Sequence, residues 1–278
     1  MQATILHISG ARAQPVAVVA AESVYGDIAQ QIGGPFVTVT SVLTNPGQDP
    51  HLFEASPSVA RRVAQARLVV LNGIGYDPWM VRLLAAAPSA ARHQILVSDG
   101  TGHSLGDNPH LWYDLPSVAA LGRAIAAELG QIDPAHQAAF QQRLQAFETS
   151  LEPIQARLLQ LRRRTATLPV AATEPVFGYI LEALAMDVRD QRFALAVMND
   201  TEPAASDVAA FEDDLKQRRV RVLIHNSQTA GAVASRMERL ARAAHIPVLG
   251  VSETEPPGQS YQRWVSATLD ALERALPP

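Results

Sequence analysis

The sequence predicts an α/β protein in which two parallel-sheet lobes are joined by one long connecting helix. Three observations carry this expectation. Short apolar runs alternate with amphipathic stretches through the first part of the chain, the pattern of strands linked by crossover helices. The same alternation restarts near Leu168. Between the two, from Pro134 to about Arg164, apolar residues recur every three or four positions with no glycine to break them.

The elements follow in order. Pro15–Ala21 reads as a buried strand, Ser23–Ile32 as a helix stopped at Gly33-Gly34, and the β-branched run Phe36–Leu43 as a second strand. Ser56-Pro57 opens a helix, with serine as the cap and proline in the first turn. Leu68–Leu71 is a strand, Pro78–Ala87 a helix, Gln94–Val97 a strand and Ser117–Leu129 a helix. In the long helix Phe140, Leu144, Phe147, Leu151, Ile154, Leu158 and Leu161 form one apolar stripe, interrupted only by Pro153. Thirty such residues span about 45 Å, the width of a domain. Leu168–Ala172, Val220–Ile224 and Val248–Val251 are then strands, and Val176–Leu184, Ser206–Gln217, Gly231–Ala244 and Gln259–Leu276 are helices. The expected organisation is a first lobe over 1–130, a linking helix over 131–166 and a second lobe over 167–278. Residues 1–13 end in Ala11-Arg12-Ala13, a small-x-small pattern that suits a signal remnant or leader.

Composition narrows the function. The chain of 278 residues has no cysteine, which removes thiol nucleophiles, disulfides and Cys-type zinc sites. A net charge of −4 argues against nucleic acid as a partner. Lys216 is the only lysine, and Arg162-Arg163-Arg164 closes the long helix, where cations meet the helix dipole. Gly73-x-Gly75 lacks the Lys and Ser/Thr of a phosphate loop.

The strongest chemical signal is an internal echo. Residues 49–58 read DPHLFEASPS and residues 108–117 read NPHLWYDLPS, sharing P-H-L-aromatic-x-x-x-P-S. His51 and His110 each follow a φ-locked proline and precede a Pro-Ser helix start by six residues. An imidazole in a stiff loop is a common ligand of divalent transition metals. Glu174, Glu253 and Glu255 lie just past expected strands of the second lobe, where open α/β sheets bind ligands. Two imidazoles and two carboxylates make a full ligand set for Zn²⁺, Mn²⁺ or Fe²⁺. Each carboxylate alone also serves as a charge at a helix N-terminus.

These residues resemble the zinc/manganese-type solute-binding proteins of bacterial ABC importers, from Val16 to the C-terminus. The resemblance rests on DPHLFEASPS, NPHLWYD, ATEPVFGY at 172–179, the mid-chain helix and IPVLGVSETE at 246–255. It implies a periplasmic or otherwise extracytoplasmic, monomeric protein that binds one metal ion between lobes tied by a rigid helix and delivers it to a membrane permease. His51 and His110 match the family's first-lobe histidines, and Glu174 matches a third position that is His in zinc-type and Glu in manganese-type members. The fourth position, an Asp in the family, has two candidates here. An ungapped count gives Glu255; strand-end geometry favours Glu253, which we take first, with Glu255 as the alternative. Ser98–Asn108 holds His103 alone, so the long His-rich loop of many zinc-type members is missing and the reading tilts toward Mn²⁺ or Fe²⁺. Zn²⁺ would still bind such a site more tightly than Mn²⁺ by the Irving–Williams order.

Outer partners follow from the same loops. Asp114 is expected to accept the free ring N–H of His110, Glu54 sits comparably to His51, and Asn226 and Gln228 lie at a strand end facing the cleft. His225, at a strand end, reads equally as a cleft residue or as a partly buried structural histidine. The rival reading is a metal-dependent hydrolase or Fe(II) enzyme using the same cluster, but the chain contains no HExxH or HxH. An adhesion or chaperone protein would share the same fold and site.

Overall fold

The computed structural model describes residues 14–47, 50–228 and 231–276, without the side chain of His51. The leader-like residues 1–13 lie outside this range.

The first sheet contains β1 (Val16–Glu22), β2 (Val37–Leu43), β3 (Leu68–Leu71) and β4 (His93–Leu96), all parallel, in the order β2-β1-β3-β4. Helices α1 (Ser23–Gly33), α2 (Pro57–Gln65), α3 (Pro78–Ala86) and α4 (Leu115–Ile132) connect and follow its strands. Ser56 caps α2 as expected, its hydroxyl accepting the Val59 N–H. Gly34 ends α1 at φ +55°, a conformation that favours glycine.

The long helix α5 (Gln137–Thr165) carries 29 residues, about 44 Å of helix. All seven stripe residues from Phe140 to Leu161 are buried, and Pro153 lies on the exposed side. Proline there costs one backbone hydrogen bond and leaves the packed face intact.

The second sheet repeats the plan of the first. Its strands β5 (Pro169–Ala172), β6 (Asp187–Arg189), β7 (Leu223–Asn226) and β8 (Val248–Val251) are parallel in the order β6-β5-β7-β8. The helices α6 (Gly178–Ala183), α7 (Gln191–Met198), α8 (Ala205–Lys216), α9 (Ala232–Ala243) and α10 (Tyr261–Ala275) complete the lobe. The two registers also correspond. Ala20 pairs with Val70 in the first sheet and Ala172 with Ile224 in the second, so Glu22 and Asn72 occupy the positions that Glu174 and Asn226 hold.

Three details differ from the sequence expectation. The strand expected at Val220–Ile224 runs from Leu223 to Asn226, because its partners β5 and β8 flank it only there. Edge strand β6 and helix α7 have no sequence counterpart; a three-residue strand flanked by charges gives no periodic signal. The mid-chain helix starts at Gln137, after a 3₁₀ turn at Pro134–His136.

One apolar core crosses both lobes. It runs from Val18 and Leu68 through Leu121, Phe147 and Leu151 to Phe177, Trp264 and Val265. At the seam Tyr113 packs edge-on against Phe177 at 4.9 Å and tilted against Trp264 at 5.2 Å, while its hydroxyl donates to the Ser252 carbonyl at 2.9 Å. A second cluster around Phe193, Phe211, Leu215 and Met237 lies within the second lobe.

Candidate metal centre

In each sheet the chain turns in opposite directions from two adjacent strands, β1 and β3 in the first and β5 and β7 in the second. Such switch points leave a crevice beyond the carboxyl ends of the strands. Glu174 follows β5 in extended conformation, Asn226 ends β7 and Glu253 follows β8. His110 arrives from the first lobe, immediately before a 3₁₀ turn at Leu111–Tyr113.

His110, Glu174 and Glu253 are all buried, and one ligand atom from each lies within 4.8 Å of the others. Nε2 of His110 stands 3.4 Å from Oε2 of Glu253. On the other side of the ring, Nδ1 is 2.5 Å from Oδ1 of Asn108. An amide oxygen only accepts, so Nδ1 carries the proton and the Nε2 lone pair faces the two carboxylates. Nitrogen and oxygen donors gathered in a buried pocket suit Zn²⁺, Mn²⁺ or Fe²⁺. The backbone of His51 lies in a 3₁₀ turn at Pro50–Leu52, and its side chain is outside the described residues.

The carboxylates are held from behind. Nδ2 of Asn226 donates to Oε2 of Glu174 and to Oε1 of Glu253, both at 2.7 Å, so one amide group supports two like charges. The amide is oriented in turn by the Gln228 N–H, which donates to Oδ1 of Asn226 at 3.0 Å. Oε1 of Gln228 accepts the backbone N–H groups of Glu253 (2.6 Å) and Thr254 (3.0 Å), fixing the segment after β8. From the first lobe, the Tyr76 hydroxyl donates to Oε2 of Glu253 at 2.7 Å. Burial and the neighbouring Glu253 charge push the Tyr76 phenol well above its ordinary range, so it stays a donor.

The structure therefore brings Glu253, and not Glu255, to His110 and Glu174. Glu255 is buried elsewhere, its carbonyl taking the Ser23 hydroxyl at 3.4 Å. Burial, with a smaller contribution from Asp27, pushes its carboxyl up to about 9. Asn226 and Gln228 stand where the sequence places them, beside the cluster. The expectation for Asp114 is corrected: Asn108, two residues before His110, takes the ring N–H. Asp114 instead caps α4, accepting the Ser117 N–H at 3.1 Å, and lies 3.5 Å from Nε2 of His103. A carboxylate at a helix start is satisfied by the local N–H groups before it can reach back four residues. Glu54 is exposed. His225 lies in β7 and is not among the clustered residues; it stands 3.5 Å from Glu238, and burial lowers its pKa.

Sequence reasoning missed Asn108, Tyr76 and Glu22. Asn108 was legible in principle, because an Asn two residues before a histidine can fold back on it. Tyr76 follows the Gly73-Ile74-Gly75 turn, in which both glycines have positive φ and Asp77 accepts the Asn72 (2.7 Å) and Gly73 (3.1 Å) N–H groups. Glu22 is buried at the end of β1, and neither carboxylate oxygen has a hydrogen-bond partner among the described residues. Burial, with Asp77 adding to it, raises its pKa well above the usual carboxylate range.

Several known proteins share this plan. The manganese ABC transporter substrate-binding lipoprotein PsaA of Streptococcus pneumoniae is 23% identical over 287 residues, covering 95% of this chain and 90% of its own. The manganese-binding lipoprotein MntA of Bacillus subtilis is 23% identical over 252 residues, covering 85% and 79%. Among solved structures, the periplasmic zinc-binding protein TroA of Treponema pallidum superposes with a TM-score of 0.80 at 20% identity, covering 95% of this chain and all of that one. FpvC of Pseudomonas aeruginosa, solved with Mn²⁺, gives 0.77 at 22% identity, covering 95% and 98%. These structural likenesses establish the two-lobed fold. A family model described as zinc-uptake complex component A, periplasmic, matches residues 18–275. With that match spanning both sheets, the long helix and the buried cluster, the chain belongs to this family of metal-uptake solute-binding proteins.

Proposed function

We propose that this chain is the extracytoplasmic component of an ABC importer, a monomer that captures one Zn²⁺ or Mn²⁺ ion between its lobes and hands it to a membrane permease. His51, His110, Glu174 and Glu253 are the proposed ligands. The observation that carries the reading is the meeting of His110 from one lobe with Glu174 and Glu253 from the other, ligand atoms within 4.8 Å and all three residues buried. A His₂Glu₂ set serves both ions. Monodentate carboxylates give the tetrahedral sphere of Zn²⁺, and bidentate ones provide the larger sphere that Mn²⁺ accepts. Burial of all three residues suits capture, whereas catalysis by a metal needs an open coordination position.

The test is elemental analysis of protein purified without a metal-affinity tag, together with Zn²⁺ and Mn²⁺ titrations of the emptied protein. One equivalent of ion is expected in the parent, with loss in His110→Ala and His51→Ala. A parent that takes up neither ion would sink the reading. Imidazole ligands must be neutral to bind, so affinity should fall as the pH is lowered. Unchanged affinity at about pH 5 would contradict histidine ligation.

A further inference from the structure

His110 reaches the cluster on a segment held from both lobes: the Pro109 carbonyl accepts the Asn72 amide of the first lobe at 2.9 Å, and Asn108 makes contacts to the second. Its Oδ1 accepts both the ring Nδ1–H of His110 (2.5 Å) and the His110 backbone N–H (3.2 Å). Its Nδ2 donates to the Pro175 carbonyl at 2.7 Å, and its own carbonyl accepts the Tyr179 hydroxyl at 2.6 Å. Pro175 is the residue after Glu174. One side chain thus joins the first-lobe imidazole to the segment that carries a second-lobe carboxylate.

A steric observation points to the same residue. Gly178 has φ −55°, a helical value any residue adopts, so its backbone does not require glycine. A Cβ at that position would stand 2.7 Å from Nδ2 of Asn108. The bare backbone at 178 leaves room for this amide.

We propose that Asn108 is a positioning residue that acts as a strut between the lobes. It selects which imidazole nitrogen faces the ion, and it latches the Glu174-Pro175 segment to His110 before any ion arrives. Release of the ion then requires the strut to yield, so Asn108 sets the dissociation rate without touching the ion. This rests on the reading that His110 and Glu174 hold the ion. The carboxamide suits both tasks, because its oxygen serves the ring while its NH₂ serves the carbonyl across the seam. Outer partners of this kind change metal affinity by about 10- to 100-fold when removed.

The experiment has two arms. In the first, the ring nitrogens of His110 are observed by ¹⁵N NMR in the ion-free parent, Asn108→Ala, Asn108→Asp and Gly178→Ala. The parent and Asn108→Asp, which keeps an acceptor for the ring, should show the Nδ1–H tautomer; Asn108→Ala should show a mixture. In the second arm, Zn²⁺ dissociation into excess chelator is followed by stopped flow. Asn108→Ala and Gly178→Ala should each release Zn²⁺ about tenfold faster or more. Their double variant should be little faster than either alone, because both disable one strut. A parental tautomer in Asn108→Ala, release within twofold of the parent, or rate effects that multiply in the double variant would each overturn the proposal. A parent that binds no Zn²⁺ would instead defeat the functional reading, and the NMR arm would still report on the strut.

Discussion

At the scale of single residues, two carboxyl groups meet in the cluster and share one amide. Glu174 and Glu253 approach each other inside the protein, and Asn226 supplies a hydrogen to each. Replacing it with alanine leaves both carboxylates short of a donor, at about 1–3 kcal/mol each. Asn226→Ala should therefore lower the stability of the ion-free protein at pH 7 by about 2–6 kcal/mol, measured by urea unfolding. A variant as stable as the parent would show that support of the two carboxyl groups is not what Asn226 contributes. The sequence made Asn226 and Gln228 visible because they fall at a strand end. It misassigned the partner of His110, because the choice between Asn108 and Asp114 depends on where α4 begins, and the helix start consumes Asp114.

At the scale of elements, α7 begins at a costly point. Asp190 adopts φ +58° at the N-cap position, and its Oδ2 is buried without a hydrogen-bond partner among the described residues. Burial, with Asp214 nearby, pushes its carboxyl up to about 6. Ionising it costs more in the folded protein than in the unfolded chain. The stability due to the neutral form is therefore complete below about pH 4 and is lost as pH rises through about 6. An asparagine at this position would keep the left-handed backbone without the charge. Asp190→Asn should thus gain on the parent between pH 4 and 6 and hold a constant lead above that, read from urea midpoints. Parallel curves across this range would refute the assignment. This region was also the least legible in sequence: β6 and α7 are short, and neither sustains a period. The elements read best were α5, whose stripe repeats over many turns, and β3 and β8, whose bounds match because apolar runs end at glycine, asparagine or serine.

At the scale of the whole molecule, the lobes are bound to each other independently of any ion. The shared core, α5, the Tyr113–Ser252 and Asn108–Pro175 bonds, and the Tyr261 N–H to Asp27 carboxylate bond (2.9 Å) all cross the seam. Removing the ion should therefore loosen the segments around Glu174 and Glu253 without swinging the lobes apart. Small-angle scattering should give a radius of gyration of about 19 Å both loaded and emptied. A clearly larger value for the emptied protein would mean that the ion, not the core, holds the lobes together. The two-lobed plan and its rigid link were legible because alternation and the long stripe are global patterns. How firmly the seam is closed was not, since it depends on contacts between residues far apart in the chain.

The matching strand orders have a bearing on ancestry and redesign. Each half ends its first strand in, or just before, a buried glutamate and its third strand in, or just before, an asparagine, so the chain reads as one plan written twice. Only the second copy brings its pair into the cluster with His110 and Glu253. In the first, the Asn72 amide is committed to the Gly73 (3.1 Å) and Pro109 (2.9 Å) carbonyls, and Glu22 stays without a donor among the described residues. A doubled architecture thus carries a dormant twin of half of that cluster. For anyone wishing to build a second binding position into this scaffold, Glu22 and Asn72 are the place where the backbone is already laid.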